Sequence, residues 1–361
     1  MRVGLNISAA SGCSTGVGNY AFQLAKSIAA VAPDDEWFFF GTSARLAPLL
    51  ERSNAKAAVT HSRGLARILW EQTGLPLEAR RMKVDLLHGA DFSRPFAYGG
   101  RVVNTIHDLS PFVDSRYFPP ARRIYKRFLI RHASTRTSAI ITDSEFSRRQ
   151  IIERFSADEA RVYAIALGVT LGNGVAHAKA NPPMLLFVGN LEHRKNLVRL
   201  VEAFRLLRER RRVPHRLVLA GRPGHGWEDI RAAIERGGIQ DCVGVPGYVS
   251  NEELARLYRS AEVFVFPSVY EGFGLPVLEA MACGTPVACS NAASLPEVGG
   301  DAVEYFDPHS VEDMTAAIER VLDSPGRQAE MREKGLRQAA RFTWEECARK
   351  HLEVYRRVLA S

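Results

Sequence analysis

Two glutamates eight residues apart bracket a glycine-rich segment in the second half of the sequence. Glu271 directly precedes Gly272-Phe273-Gly274-Leu275, and Glu279 follows inside a predicted helix over Leu275–Cys283. Glycines let backbone N–H groups approach a ligand without a Cβ in the way, and Pro276 fits a first helical turn. The spacing predicts a site for a ligand with hydroxyl groups at both ends and phosphates between them.

A cationic segment, Gly189-Asn190-Leu191-Glu192-His193-Arg194-Lys195-Asn196, connects a predicted strand to a predicted helix. Lysine offers phosphate a point charge, and arginine offers it a two-pronged donor. The N-terminus of the following helix favours anions as well. The segment predicts an anion site, with a solvated cationic loop as the alternative.

His107 and Asp108 follow the predicted strand Val102–Ile106. Ligands of open α/β sheets bind outside the carboxyl ends of the strands. The pair therefore predicts a site that binds hydroxyl groups or holds a reacting group, and a purely structural pair is the alternative.

Gly16-Val17-Gly18-Asn19-Tyr20-Ala21 formally matches the dinucleotide fingerprint GxGxxG/A. That fingerprint should follow its strand directly, but Ser8–Thr15 intervene here, and the acidic residues 34–36 precede the second strand instead of ending it. A glycine loop that opens a helix towards an interdomain cleft is the favoured interpretation, and a plain turn is the alternative.

Short apolar runs alternate with amphipathic stretches along the chain, which predicts βαβ units and parallel sheets. In the first half the predicted strands are Val3–Ile7, Trp37–Phe40, Val84–Leu87, Val102–Ile106, Ala139–Thr142 and Val162–Ala166, and the helices are Val17–Val31, Arg122–His132 and Ser147–Phe155. In the second half the strands are Met184–Val188, Leu217–Ala220, Val263–Phe266 and Pro286–Cys289, and the helices are Asn196–Arg211, Trp227–Arg236, one opened by the capping box Ser250–Glu253, and Leu275–Cys283.

This alternation predicts two tandem doubly wound α/β domains. The N-terminal domain is expected over 1–170, a linker over 171–183 and the C-terminal domain over 184–343. The last helix, about 344–361, is expected to pack back on the N-terminal domain.

The composition excludes several classes of protein. With 361 residues, 46% hydrophobic and 24% charged, the chain is neither disordered nor collagenous. No apolar run of about 18 residues occurs, which predicts no membrane-spanning helix. The five cysteines show no paired spacing, which favours reduced thiols in the cytoplasm.

The net charge of +8 is confined to the first half. Residues 1–180 contain 24 Lys and Arg against 15 Asp and Glu, whereas residues 181–361 contain 24 against 25. Without a recognised nucleic-acid motif, this distribution argues against a nucleic-acid-binding protein.

Part of this positive charge lies on a predicted helix. Ser115–Thr142 contains seven Lys and Arg residues and no acidic residue. Arg123, Lys126 and Arg127 follow helical spacing and are interleaved with Tyr125, Phe128 and Leu129 in the sequence. The pattern predicts a helix that meets an anionic membrane surface or a lipid-linked acceptor. A helix that packs its aromatic residues into the domain is the alternative.

Together these motifs, with Ala220-Gly221-Arg222, resemble the family 4 retaining glycosyltransferases over nearly the whole chain, and in particular the bacterial polysaccharide and O-antigen mannosyltransferases. The resemblance implies the GT-B fold, in which two Rossmann-like domains face a central cleft. It also implies transfer of a sugar, expected to be mannose from GDP-mannose, to a glycan or lipid-linked acceptor.

Carried over by position, the resemblance implies a role for each motif. Lys195 and Arg194 would bind the donor diphosphate. Glu271 and the backbone of Gly272, Phe273, Gly274 and Leu275 would bind the sugar and phosphate, and Glu279 the ribose. Arg222 would lie near the phosphate, and Tyr248 and Val249 near the base. His107 would sit beside the reacting sugar, with Glu271 as the other catalytic candidate, and Gly16 would approach the diphosphate. Many relatives have arginine where this chain has Asn190, so Arg194 is the expected replacement.

No metal or other cofactor is expected, because cations would replace a divalent ion. The expected location is the cytoplasm, peripherally on the inner face of the membrane. A transferase using a UDP-sugar and an enzyme similar to sucrose or glycogen synthases stay open as alternatives. An NAD-dependent Rossmann oxidoreductase is the alternative from a different class.

Overall fold

The computed structural model describes residues 1–8, 16–42, 46–51, 53–59, 64–170, 180–211 and 213–361. They form two units, each with its own sheet. The first unit contains Met1–Phe112, Ala121–Gly168 and Thr343–Ser361, and the second contains Val113–Pro120 and Val169–Phe342. Residues 9–15, which precede the predicted glycine loop, and residues 171–179 of the predicted linker lie outside the described residues.

The first unit is built on a parallel sheet with the strand order β3-β2-β1-β4-β5-β6-β7. Its described strands are β1 (Arg2–Asn6), β2 (Glu36–Gly41), β3 (Ala55–Val59), β4 (Leu86–Gly89), β5 (Arg101–Thr105), β6 (Ala139–Thr142) and β7 (Val162–Ala164). Helices in this part of the chain are α1 (Gly16–Val31), α2 (Gly64–Gln72), α3 (Gly74–Arg81), α4 (Ser110–Val113), α5 (Pro120–Arg136) and α6 (Glu145–Phe155). The central strands are buried on both faces, as parallel strands covered by helices must be.

The second unit repeats this architecture with the strand order β10-β9-β8-β11-β12-β13. Its described strands are β8 (Met184–Val188), β9 (Arg216–Ala220), β10 (Val243–Gly247), β11 (Val263–Phe266), β12 (Val287–Ser290) and β13 (Glu304–Phe306). Its described helices are α7 (Leu197–Arg211), α8 (Trp227–Arg236), α9 (Asn251–Ser260), α10 (Leu275–Ala282), α11 (Leu295–Gly299), α12 (Val311–Leu322) and α13 (Pro325–Ala339). Because β8 lies beside β11, the loops after these two strands meet at one edge of the sheet.

The C-terminal helix α14 (Trp344–Ala360) belongs to the first unit and packs against α1. A chain of buried hydrogen bonds joins it to α1 and to the sheet. The chain runs through Cys347, His351, Tyr20, Thr105, His88 and Tyr355.

The direction of these hydrogen bonds follows from the backbone carbonyl at one end. The oxygen of Cys347 can only accept, so Nδ1 of His351 donates to it over 2.7 Å. Burial lowers the pKa of His351 to about 4, so the ring is neutral at pH 7 and its Nε2 accepts from the Tyr20 hydroxyl over 2.9 Å. The Tyr20 oxygen then accepts from the Thr105 hydroxyl over 2.7 Å.

His88 completes the chain in the same way. Its Nε2 donates to Thr105 Oγ1 over 2.9 Å. Burial also lowers the pKa of His88, so Nδ1 of the neutral ring accepts from the Tyr355 hydroxyl over 2.5 Å. One arrangement of protons therefore satisfies every member of the chain, which is the condition under which a buried polar network rigidifies a core.

We predict that Tyr355→Phe destabilises the protein, because it leaves Nδ1 of His88 buried without a donor. The expected loss is about 1–3 kcal/mol in the free energy of unfolding, measured by urea denaturation. Tyr305→Phe is the matched control: its hydroxyl donates to Gly300 O at the surface, so its effect should stay within about 0.5 kcal/mol. Equal effects of the two substitutions would contradict the network.

Candidate active site

Asn196 fixes the cationic turn that follows β8. It adopts a left-handed conformation with φ of 58° after the 3₁₀ turn His193–Lys195. Its Nδ2 donates to Pro267 O over 3.2 Å and to Pro308 O over 2.7 Å, in the loops after β11 and β13. One side-chain amide thus holds the turn against two neighbouring loops.

Arg194, Lys195 and Glu271 form a buried ion cluster where these loops meet. Lys195 Nζ lies 2.5 Å from Glu271 Oε1, and Arg194 Nη1 lies 2.6 Å from Glu271 Oε2. Lys195 and Glu271 are only 6% and 8% exposed. Burial raises the pKa of Glu271, but the two cations outweigh burial and lower it to about 2. Glu271 is therefore ionised at neutral pH and can accept hydrogen bonds but cannot act as an acid.

The cluster is electrically balanced by a second carboxylate. Arg194 Nη2 lies 3.0 Å from Glu192 Oε1, and its Nη1 also donates to Tyr270 O over 3.0 Å. Two cations therefore face two carboxylates, Glu192 and Glu271. The sequence predicts an anion site at these cations, and in the structure both cations are paired with carboxylates.

The segment between Glu271 and α10 is held in shape by Gly274 and Ser294. Gly274 has φ of 119°, and a Cβ there would lie 2.6 Å from Cδ2 of Leu295. Ser294 Oγ is within hydrogen-bond distance of Glu271 O at 3.0 Å and of Phe273 O at 2.7 Å. These contacts leave Glu271 and the N-terminus of α10 side by side.

Glu279 lies one turn into α10, and it bonds to Tyr258 and not to the cluster. The Tyr258 hydroxyl donates to Glu279 Oε2 over 3.0 Å. Burial raises the pKa of Glu279 to about 7, although the hydrogen bond from Tyr258 acts in the opposite direction. This carboxyl group is therefore poised between its neutral and charged forms.

Arg222 and Tyr248 meet at the edge of the second sheet, with the guanidinium 4.7 Å from the ring centre. The adjoining Gly221 has φ of 154°, and a Cβ there would lie 1.9 Å from Gly189 O, so only glycine fits. Asn190 is exposed, and Val249 is half-buried. These positions lie on the loops after β8, β9 and β10.

The remaining candidates lie in the first unit. His107 Nδ1 is 2.7 Å from Asp143 Oδ2, and both side chains are largely buried. Asp108 instead accepts from the backbone N–H of Ser110 over 2.8 Å. Gly16 begins α1 with open space where a Cβ would lie.

The cationic helix α5 does not pack all of its aromatic residues into the domain. Lys126 and Arg127 lie over the rings of Phe92 and Phe112, at 5.6 and 5.0 Å. Leu129 is buried, but Phe128 is 58% exposed. The alternative that the aromatic residues pack inwards is therefore wrong for Phe128, and also for Tyr125, which is exposed.

Sequence reasoning missed the partners of the chosen residues, namely Glu192, Tyr258 and Asp143. Asp143 gave a usable signal, because it directly follows the strand β6, as His107 nearly follows β5. Tyr258 gave none, because its distance from Glu279 depends on how α9 packs. In the part of the chain that the structure describes, no three His, Cys, Asp or Glu side chains converge as a metal site requires.

Comparison with known proteins shows the family of this chain. The family model "Glycosyltransferase Family 4" matches residues 14–172, and "Glycosyl transferases group 1" matches residues 175–338. The O-antigen chain mannosyltransferase B of Escherichia coli is 33% identical over 95% of this chain and 96% of its own. The chain belongs to glycosyltransferase family 4.

Solved structures show the same GT-B fold for this glycosyltransferase. Sucrose-phosphate synthase from Thermosynechococcus elongatus matches with a TM-score of 0.79 at 20% identity, over 99% of each chain. Anabaena HepE, in complex with UDP and glucose, matches with a TM-score of 0.73 at 16% identity, over 98% of this chain and 99% of its own. Because the chain belongs to glycosyltransferase family 4, the NAD-dependent oxidoreductase alternative is wrong. Among the residues that the structure describes, no helix of this glycosyltransferase is long and apolar enough to cross a membrane.

We predict that Glu279 makes the stability of the glycosyltransferase fall as pH rises. A carboxyl group whose pKa is raised on folding contributes stability below its unfolded pKa, near 4.5, and loses that contribution as pH rises through the folded value of about 7. Relative to Glu279→Gln, the wild type should lose on the order of 3 kcal/mol between pH 4.5 and pH 8. Urea denaturation of both proteins at the two pH values checks this. If the free energies of unfolding of the two proteins change in parallel with pH, folding does not raise the pKa of Glu279.

Proposed function

We propose that this glycosyltransferase transfers mannose from GDP-mannose to a glycan or lipid-linked acceptor in cell-surface polysaccharide synthesis. The proposal rests on the buried Arg194–Glu271–Lys195 cluster beside the N-terminus of α10. The mannosyltransferase name of the Escherichia coli relative supports mannose as the sugar.

The cluster suits a nucleotide diphosphate as the leaving group. Lys195, Arg194 and the N-terminus of α10 would stabilise the negative charge that develops on the departing diphosphate. With these cations in place no divalent metal is needed. Glu271, ionised and buried, would accept hydrogen bonds from the sugar hydroxyls, with backbone support from Gly272 to Leu275.

Other candidates would bind the rest of the donor. Glu279 would accept from the ribose hydroxyls, and Arg222 would lie near the phosphates. Tyr248 and Val249 would contact the base, with Asn190 and Gly16 near the diphosphate. His107 would contact the reacting sugar.

Retention of the anomeric configuration follows from attack on the face that the diphosphate leaves. The acceptor oxygen bonds to C1 of the sugar as the bond from C1 to the phosphate oxygen breaks. The acceptor's hydroxyl proton passes to the departing phosphate. Glu271 takes no proton in this step, since its pKa of about 2 makes it a very weak base.

The choice of nucleotide is tested by thermal unfolding with GDP, UDP or NAD. A ligand of the native state at a hundred times its Kd stabilises by about 2.7 kcal/mol, so GDP should raise the melting temperature and NAD should not. Release of GDP from GDP-mannose by the same protein tests whether mannose is the transferred sugar. Stabilisation by UDP alone would favour the UDP-sugar alternative.

A matched pair of variants ties this binding to the cluster. Lys195→Ala should abolish the shift caused by GDP. Lys334→Ala, which removes a surface lysine paired with Asp301 and Glu330, should keep it. If GDP raises the melting temperature of Lys195→Ala as much as that of the wild type, GDP does not bind at the cluster.

The exposed surface of α5 fits an anionic lipid surface, and we propose that the protein binds membranes there in a peripheral manner. The helix carries six Lys and Arg residues and no acidic residue. Its side chains Ile124 and Phe128 are 66% and 58% exposed. Cations near an anionic surface contribute about 1 kcal/mol each, and the exposed apolar side chains can enter the interface.

We predict that the protein sediments with vesicles containing anionic lipid, and less so as salt screens the charges. Ile124→Ser with Phe128→Ser should reduce this binding. Leu336→Ser, which replaces an exposed leucine in the second unit, should not. Equal binding to neutral and anionic vesicles would refute the electrostatic surface.

A further inference from the structure

His107 lies between two hydrogen-bond acceptors. Its Nδ1 is 2.7 Å from Asp143 Oδ2, and its Nε2 is 3.2 Å from the backbone oxygen of Ala90. A carbonyl oxygen can only accept, so Nε2 carries a hydrogen. A second proton must lie between Nδ1 and Oδ2, since a bare nitrogen facing a carboxylate oxygen would repel it. The pair therefore holds two protons, and neither ring nitrogen is free to accept another.

The surroundings decide where the second proton rests. Burial lowers the pKa of His107, but the adjacent Asp143 carboxylate outweighs burial and raises it, with a smaller contribution from Asp108. The Tyr20 and His107 rings are nearly perpendicular, at 84°, with the ring centres 4.8 Å apart. The nearby histidines His88 and His351 are neutral, as the hydrogen-bond chain to α14 requires.

Asp143 serves His107 and little else. It is buried, and its Oδ1 has no hydrogen-bond partner among the described residues. A buried carboxylate oxygen without a donor is costly. The 2.7 Å contact with His107 is therefore the side-chain hydrogen bond that the structure gives Asp143 among the described residues.

We propose that Asp143 is a positioning residue that holds His107 as an imidazolium, so that His107 acts as a fixed cation and hydrogen-bond donor in the transfer reaction. The role in transfer rests on the proposed function, which brings His107 to the reacting sugar. A cation there favours departure of the diphosphate. It also leaves the departing phosphate as the group that accepts the acceptor's proton.

The charge state is tested in the free protein by ¹⁵N NMR of histidine-labelled samples, with His107→Asn to assign the signal. At pH 7.5 both nitrogens of His107 should be protonated. In Asp143→Asn the ring should be neutral at the same pH. Asp158→Asn, which alters a carboxylate that caps a surface turn, should leave His107 charged. A neutral His107 in the wild type overturns the proposal, whatever the enzyme transfers.

The role in the reaction is tested with the donor identified by turnover. Asp143→Asn should lower kcat by at least about 10–100-fold, the cost known for carboxylates that orient metal-binding histidines, and should leave KM for the donor nearly unchanged. Its rate should fall as pH rises through neutrality, whereas the wild-type rate should hold to higher pH. Unchanged kcat and pH profile in Asp143→Asn, with His107 neutral by NMR, would remove the imidazolium from the reaction but leave the proposed function intact.

Discussion

The charge of the Glu271 carboxylate is the constraint on which the second unit's binding edge depends. An ionised carboxylate that is 8% exposed is stable only if cations reach it. Lys195 and Arg194 do so from a loop 76 and 77 residues away in sequence. The left-handed Asn196 and the adjacency of β8 and β11 are what bring them there. Loss of either cation would leave one carboxylate charge of the buried cluster uncompensated. Electrostatic attraction therefore holds these loops together in addition to packing.

Among its described residues, the first unit contains one largely buried histidine that is paired with a carboxylate and two buried histidines that are not. His107 is buried and has a carboxylate partner, which supports a charge. His88 and His351 are buried without one, and they stay neutral within a chain of hydroxyl groups. The charged histidine follows the end of a strand, where ligands of α/β sheets bind. The neutral pair lies where α14 packs on the domain, so of these three buried histidines only His107 is paired with a carboxylate.

Local sequence signals predicted the central elements well, and the edges poorly. Met184–Val188 and Trp227–Arg236 agree with the structure at both ends, because an apolar run and an amphipathic period are strong signals. The strands β3 and β10 were not predicted. Their sequences, Ala-Lys-Ala-Ala-Val and Val-Gly-Val-Pro-Gly, lack the continuous apolar run of a buried strand and lie at sheet edges. A strand that forms mainly because it pairs with a neighbouring strand shows only a weak pattern in its own sequence.

The same limit applies to the active site. Spacing and residue type identified Glu271, Arg194 and Lys195 as candidates. Their pairing depends on strand order, which no local pattern encodes. The tertiary structure also changes the electrostatic interpretation, because Glu192 was read as part of a cationic loop and in fact neutralises Arg194.

The balanced charge of the resting cluster limits how a diphosphate can bind. Two cations already face two carboxylates, so an incoming diphosphate must share them. The negative charge then exceeds the positive charge of the cluster, and the remainder must come from elsewhere. The N-terminus of α10 and Arg222 offer positive potential within the second unit. The second half of the chain as a whole, with 24 basic and 25 acidic residues, offers no excess. If the diphosphate binds as proposed, its charge must therefore be met by local placement of cations and helix N-termini and not by a net positive charge of the second unit.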